Sequence, residues 1–186
     1  MDSHFKNKLR DSMNDRRRRL NPQKQQAASK KICHHLVHLP LIQNAQHIAL
    51  YIPIQGEANP LPLMQNQALK KTHWYAPCIK KNALIFCAFD PLDTKVSKLG
   101  TVEPVKQKEH TATLDCILVP LVAFDHKGFR IGRGQGYYDR SLVPYCNSGT
   151  QLIGIAYQFQ YISDCHPMTW DVPLHHIITE EQIITV

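Results

Sequence analysis

The 186-residue chain has no uninterrupted apolar run of about 18 residues, the length a membrane-spanning helix needs. Its opening segment, MDSHFKNKLRDSMNDRRRRL, lacks the apolar core of a secretory signal. Both absences predict a cytoplasmic protein that works away from membranes. The six cysteines (Cys33, Cys78, Cys87, Cys116, Cys146 and Cys165) include no C-x-x-C pair, and most lie in apolar runs where a reduced, buried thiol is the ordinary outcome. Neither zinc nor a disulfide framework is indicated. Without a G-x-S-x-G, nucleophilic hydrolase chemistry has little support. The G-x-G-x-x-G of a dinucleotide fold and the G-x-x-x-x-G-K-[ST] of a P-loop are missing too, as are internal repeats.

What is there describes one globular domain: 43% hydrophobic and 20% charged residues over a length that can bury a sizeable core. The net charge of +7 is concentrated. Residues 1 to 31 carry ten Lys and Arg against three acids, and the rest of the chain is neutral on balance. Phe5, Leu9 and Met13 recur every four residues, predicting a basic amphipathic helix whose other faces carry Lys6, Arg10 and the run Arg16 to Arg19. A solvated basic face is the better reading of that run. Asn21 and Pro22 form an N-cap and first turn for a second helix reaching about His38.

Short runs rich in β-branched and aromatic residues predict strands over residues 47–54, 73–79, 83–89, 116–124 and 152–158. Helices are expected from Asn59 and Pro60 to about Lys71, and from Tyr137 to Val143. Alternating strands and helices imply an α/β domain with a largely parallel sheet. Residues 90 to 114 lack periodicity and read as a long connection without assigned function.

One segment stands out chemically. The apolar run CILVPLVAF, suited to a strand buried on both faces, is followed by DHKG and then by Arg130-Ile131-Gly132-Arg133-Gly134-Gln135-Gly136-Tyr137-Tyr138-Asp139-Arg140. Alternating glycines let the backbone turn tightly or approach a ligand and leave N–H groups free to face an anion. Arg130, Arg133 and Arg140 add positive charge, and arginine suits bidentate phosphate contacts. On spacing alone, a tight turn with a solvated arginine is about as good a reading as a polyphosphate cradle. The gathering of Gly, Arg, Tyr and Asp into one loop after a buried strand favours the cradle.

The order R-I-G-R-G-Q-G-Y-Y-D-R after VPLVAFDHKG resembles the signature of the 5-formyltetrahydrofolate cyclo-ligase family. KNKLR, ALYIPIQGE, IGIAYQFQ and WDVPLHHIITE follow the family's order over nearly the whole chain. The resemblance implies a Rossmann-like three-layer α/β/α sandwich with a mostly parallel central sheet, of the sugar-phosphate isomerase and CoA-transferase type. It also implies ATP as co-substrate, Mg2+ as the metal, and phosphorylation of a formyl oxygen followed by ring closure. Lys6, Arg10, Arg130 and the loop Gly132, Arg133, Gly134, Gln135, Gly136, Tyr137 and Tyr138 would contact ATP, and Arg133 and Tyr138 would take part in catalysis. Ile52, Glu57 and the loop from Arg133 to Tyr137 would hold the folate, with Glu57 accepting hydrogen bonds from the pterin. Asp139 and Asp171 would be linked to the magnesium. Several have a structural alternative: a solvated basic face for Lys6 and Arg10, core packing for Ile52, packing against the sheet for one of Tyr137 and Tyr138, a helix-dipole role for Asp139 and a turn for Asp171.

The implied partners are small molecules alone, without nucleic acid, acting on a monomer or weak homodimer. Two rivals remain. A nucleic-acid binder would use the arginine run but leave the glycine loop idle, and a sugar-phosphate isomerase would turn over without ATP. His34 and His38 have a zinc-compatible spacing but read as solvated, and His175 and His176 as surface or strand residues. Arg133→Ala and Asp139→Ala are both expected to lower kcat with the fold intact.

Overall fold

A computed structural model describes residues 3–97, 101–110 and 113–186. Its helices are α1 (Ser3–Arg18), α2 (Pro22–Val37), α3 (Pro40–Gln43) and α4 (Tyr137–Leu142). The strands are β1 (His47–Ala49), β2 (His73–Lys80), β3 (Ala83–Ala88), β4 (Thr94–Val96), β5 (Val102–Pro104), β6 (Cys116–Pro120), β7 (Ala123–Phe124), β8 (Arg130–Ile131), β9 (Gln151–Ile155), β10 (His176–Ile178) and β11 (Ile183–Thr185).

Seven strands form one sheet in the order β11-β10-β9-β6-β1-β2-β3. The five inner strands run parallel, and only the edge strands β11 and β3 are antiparallel. Alternation along β6 divides the core between the two faces: Cys116 and Leu118 join Ile32, Leu36 and Ile42 of α2 and α3, while Ile117 and Val119 pack with Leu142 of α4. The result is the expected α/β/α layering. Among the described residues, no helix is long and apolar enough to cross a membrane.

Local chemistry explains where elements stop. Asn21 Oδ1 accepts from Gln23 N at 2.8 Å, capping α2 as its position before Pro22 predicts. The expected strand over 116–124 breaks after Pro120. Its remainder, β7, leaves the main sheet and pairs with β8 across the DHKG turn. Asp125, fully buried, holds that turn by accepting from Lys127 N, Phe129 N and Cys165 N. The helix expected over 59–71 is instead two 3-10 turns, Leu61–Gln65 and Gln67–Leu69, because Asn66 is extended and caps a fresh turn through Ala68 N.

The connection expected over 90–114 is partly ordered: β4 and β5 form a hairpin that packs against β2. Residues 98–100 and 111–112 of that stretch lie outside the described residues. The C-terminal strands β10 and β11 had no counterpart among the expected strands.

Candidate active site

Helix α1 lies against the β7–β8 hairpin through Leu9 and Met13, which pack with Val122, Ala123 and Ile131. The same four-residue stripe continues to Arg17, so Arg17 is not part of a solvated face; its side chain is buried. This corrects the reading of the basic run. Arg17 Nε donates to Gln55 O at 3.1 Å, its Nη2 to Asn14 Oδ1 at 3.0 Å, and its Nη1 lies 3.8 Å from Glu57 Oε1. Burial lowers the Arg17 pKa, and the Glu57 charge opposes that shift. Arg16 does face outward, over the Phe159 ring at 4.6 Å, and Arg18 pairs with Asp15 at 2.7 Å.

Glu57 follows the turn at Gln55 and Gly56 that ends the β1 run. Its carboxylate is the meeting point of the site: Oε1 also accepts from Arg133 Nη2 at 3.0 Å, and Oε2 accepts from Ile54 N at 3.1 Å. Arg133 comes from the glycine loop, 76 residues further along the chain. Arg10 ties the N-terminal helix to that loop, its Nε donating to Gly132 O at 2.8 Å.

The loop ends at Gly136, whose φ of 65° puts it in the left-handed region just ahead of α4. Arg130 and Asp139 pair at 2.5 Å, and Arg130 Nη1 also donates to Val172 O at 2.6 Å. Burial lowers the Arg130 pKa, with Asp139 and then Asp171 acting against it. Arg140 does not line the cleft and donates instead to the carbonyls of Asn82 and Gln135.

A cleft of about 610 Å³ opens between the loop, the β1 end and the β4–β5 hairpin. Ten of the expected residues line it: Ile52, Glu57, Arg130, Gly132, Arg133, Gln135, Gly136, Tyr137, Tyr138 and Asp139. Lys6, Arg10, Gly134 and Asp171 do not. Arg10 and Gly134 lie against each other, Lys6 stands one turn before Arg10 on α1, and Asp171 closes a turn by accepting from Met168 N. Asn14, Tyr51, Thr101 and Glu103 also line the cleft and were not foreseen. For Asn14 the available signal is its place one turn before Arg17; Thr101 and Glu103 lie in the aperiodic 90–114 stretch, where no local pattern points to them.

Tyr138 projects into the cleft without a hydrogen-bond partner for its hydroxyl among the described residues. Burial, reinforced by the Glu57 charge, pushes its pKa far up, so it is a phenol that donates and not a phenolate that abstracts. Five of the six cysteines are buried or half-buried, and none of the six lines the cleft. Burial raises Cys33 to about 11 and Cys116 to about 12, and lifts Cys78, Cys87 and Cys165 as well.

Comparison with known proteins agrees with this architecture along the whole chain. The chain is 32% identical over 186 residues to the 5-formyltetrahydrofolate cyclo-ligase of Haemophilus influenzae, covering 96% of this chain and 99% of that one. It is 29% identical to the enzyme of the same name from Escherichia coli, over 90% and 96% of the two chains. Among solved structures, the 5,10-methenyltetrahydrofolate synthetase of Aquifex aeolicus superposes with a TM-score of 0.84 at 31% identity, covering 97% of this chain and 92% of that one. The synthetase of Mycoplasma pneumoniae gives 0.72 at 29%, covering 94% and 98%. The model of the 5-formyltetrahydrofolate cyclo-ligase family matches residues 2–180, and with fold, relatives and glycine loop in agreement, the chain belongs to that family of enzymes.

Proposed function

We propose that this protein uses ATP to convert 5-formyltetrahydrofolate into 5,10-methenyltetrahydrofolate, releasing ADP and phosphate. The observation that carries the reading is the contact of Arg133 with Glu57, which brings the glycine loop and the β1 end to one cleft. In this reading the formyl oxygen attacks the γ-phosphorus and ADP departs. Nitrogen 10 then adds to the activated formyl carbon, loses its proton, and expels phosphate as the ring closes. Such chemistry needs alignment and charge stabilisation more than covalent help from side chains.

The residues suit those needs. Arg133, partly exposed and anchored by one bond to Glu57, keeps further N–H groups for phosphoryl oxygens. Tyr138 offers its proton to the oxygen that gains negative charge. Arg10 holds the loop by the Gly132 carbonyl, Lys6 lies one turn earlier on α1, and Arg130 and the loop from Gly132 to Tyr137 complete the ATP side. Ile52 and Glu57, with the loop, form the folate side.

Asp139 fits a magnesium partner. It lines the cleft, Arg130 occupies Oδ1, and Oδ2 accepts no hydrogen bond among the described residues. No group of three or more metal-ligand side chains gathers among those residues, as suits an ion held mainly by phosphate and water. When bound, the ion would neutralise phosphate charge. Asp171, held by Met168 N, acts at one remove through Arg130.

We read the protein as cytoplasmic, a monomer or weak homodimer, acting on small molecules and not on nucleic acid or membranes. The decisive assay mixes protein, Mg-ATP and 5-formyltetrahydrofolate and follows methenyl absorbance and ADP. Product should form only when all three are present, and binding of both substrates without product would overturn the proposal. Tyr138→Phe should lower kcat about 100-fold with little change in KM.

A further inference from the structure

Helix α2 contributes no residue to the cleft lining, yet two of its side chains meet at its C-terminal end. His34 and His38 are both exposed, and their ring centroids lie 4.3 Å apart at an interplanar angle of 44°. His38, the C-cap of the helix, places its Nδ1 2.7 Å from the backbone oxygen of His34. A carbonyl only accepts, so Nδ1 carries the proton and the lone pair of the neutral ring sits on Nε2. That nitrogen and both ring nitrogens of His34 have no hydrogen-bond partner among the described residues. The neighbouring side chains are engaged elsewhere: His35 Nδ1 lies 2.9 Å from Thr179 O, and the Cys33 thiol donates to Asn59 O. A different pair, His47 and His73, is stacked nearly parallel at 5.2 Å and 18°, which holds the ring edges apart.

Two imidazoles four residues apart on one helix face reach the same point in space, which is how a helix offers two nitrogens to one metal ion. Neutral imidazole suits zinc, nickel and copper, whereas magnesium demands oxygen ligands. A bond from Nδ1–H to a backbone carbonyl sets the tautomer and orientation of a ligating ring before the ion arrives. The position adds a second attraction, because a cation at the C-terminal end of a helix faces the negative pole of its dipole. Lys30 and Lys31, one turn back and exposed, oppose it, so the affinity is modest. With two protein ligands, water fills the remaining positions, as the exposure of both rings allows.

We propose that His34 and His38 form a two-nitrogen clamp for a divalent transition ion of the zinc, nickel and copper class, independent of the reaction in the cleft. Reading the pair as merely solvated accounts for its exposure but leaves the ring contact and the fixed tautomer unused. The bound ion joins residue 34 to residue 38 and so staples the last turn of α2, the helix that Ile32 and Leu36 anchor in the core. Because the clamp exists only in the folded helix, the ion acts on stability.

The test uses the full chain without a histidine tag. Nickel and zinc chlorides are titrated calorimetrically, in excess magnesium, into the wild type, His34→Gln, His38→Gln, the double variant and, as a control, His73→Gln. The wild type and His73→Gln should each bind about one ion per chain, and either single variant of the pair should lose about 10-fold or more in affinity. The double variant should lose little beyond a single one, since one ring alone is no clamp. Nickel should raise the melting temperature of the wild type and leave that of the double variant where it was. A wild type that binds no nickel or zinc under excess magnesium overturns the proposal without recourse to any variant. So does equal affinity in every variant, and so do losses that simply add across positions 34 and 38, the mark of two unconnected surface histidines.

Discussion

Arg17 and Glu57 face each other at 3.8 Å with side chains only 2% and 7% exposed, so helix α1 delivers a buried cation to the acid that organises the cleft. Removing Arg17 takes one of the two cations from Glu57 and the packing of a buried side chain from α1, which together cost about 3 kcal/mol. Arg17→Ala should therefore lower the melting temperature by roughly 6–12 °C for a chain of this size. Because Glu57 then loses its rear support, KM for folate should also rise. Differential scanning calorimetry and steady-state kinetics check both, and an unchanged melting temperature would show the pair to be inert.

Much of this was legible beforehand, for identifiable reasons. The 3.6-residue period located α1 and α2, and Asn21 before Pro22 marked the boundary between them. The continuous apolar run of β6 announced a central parallel strand. Arg17 was misread because four adjacent arginines suggest one solvated patch, although position 17 stands four residues after Met13 on the buried stripe. Glu103 was invisible for a different reason. Its place in the cleft comes from long-range packing of the β4–β5 hairpin against β2, and no periodicity within residues 90–114 encodes that. The 59–71 helix failed because Asn66 competes with the backbone and restarts the turn.

Alkaline stability follows from the tyrosines. Burial raises Tyr51 well above its ordinary value, Tyr157 to about 12, and Tyr138 beyond that. A group whose folded pKa exceeds its unfolded value contributes fully below the unfolded pKa, near 10, and loses that contribution as pH climbs toward the folded value. Stability should hold to about pH 10 and then fall by roughly 1.4 kcal/mol per pH unit for each such phenol. Tyr157→Phe gives up the bond to Gly56 O but should show a shallower decline between pH 10 and 12. Urea midpoints across that range decide it, and an identical slope in the variant would refute the assignment.

The glycines of the loop separate into two kinds. A Cβ on Gly136 would lie 2.7 Å from Arg140 Nη1 at a left-handed φ, so Gly136→Ala should cost about 1–2 kcal/mol of stability. A Cβ on Gly132 would meet nothing within 4 Å, yet it would project where the cleft is lined. Gly132→Ala should keep its melting temperature within about 2 °C and weaken ligand binding about 10-fold. Calorimetric titration with ATP and with folate tests this. Full affinity in Gly132→Ala would mean that no ligand comes close to that backbone.

The acids beside Arg130 should behave differently from each other. The expectation that Asp139→Ala leaves the fold intact does not fit its 2.5 Å pairing with a guanidinium whose side chain is 3% exposed. Deleting Asp139 strands a buried charge, so that variant should lose about 3 kcal/mol of stability as well as activity. Asp139→Asn still offers Arg130 an oxygen and is the cleaner probe. If Asp139 holds the magnesium, its half-saturating concentration should rise about 10-fold or more in Asp139→Asn. In Asp171→Asn it should stay close to wild type, because the Asp171 carboxylate is spent on Met168 N outside the cleft lining. Rates measured against magnesium concentration distinguish the two, and a larger shift in Asp171→Asn would reverse the assignment.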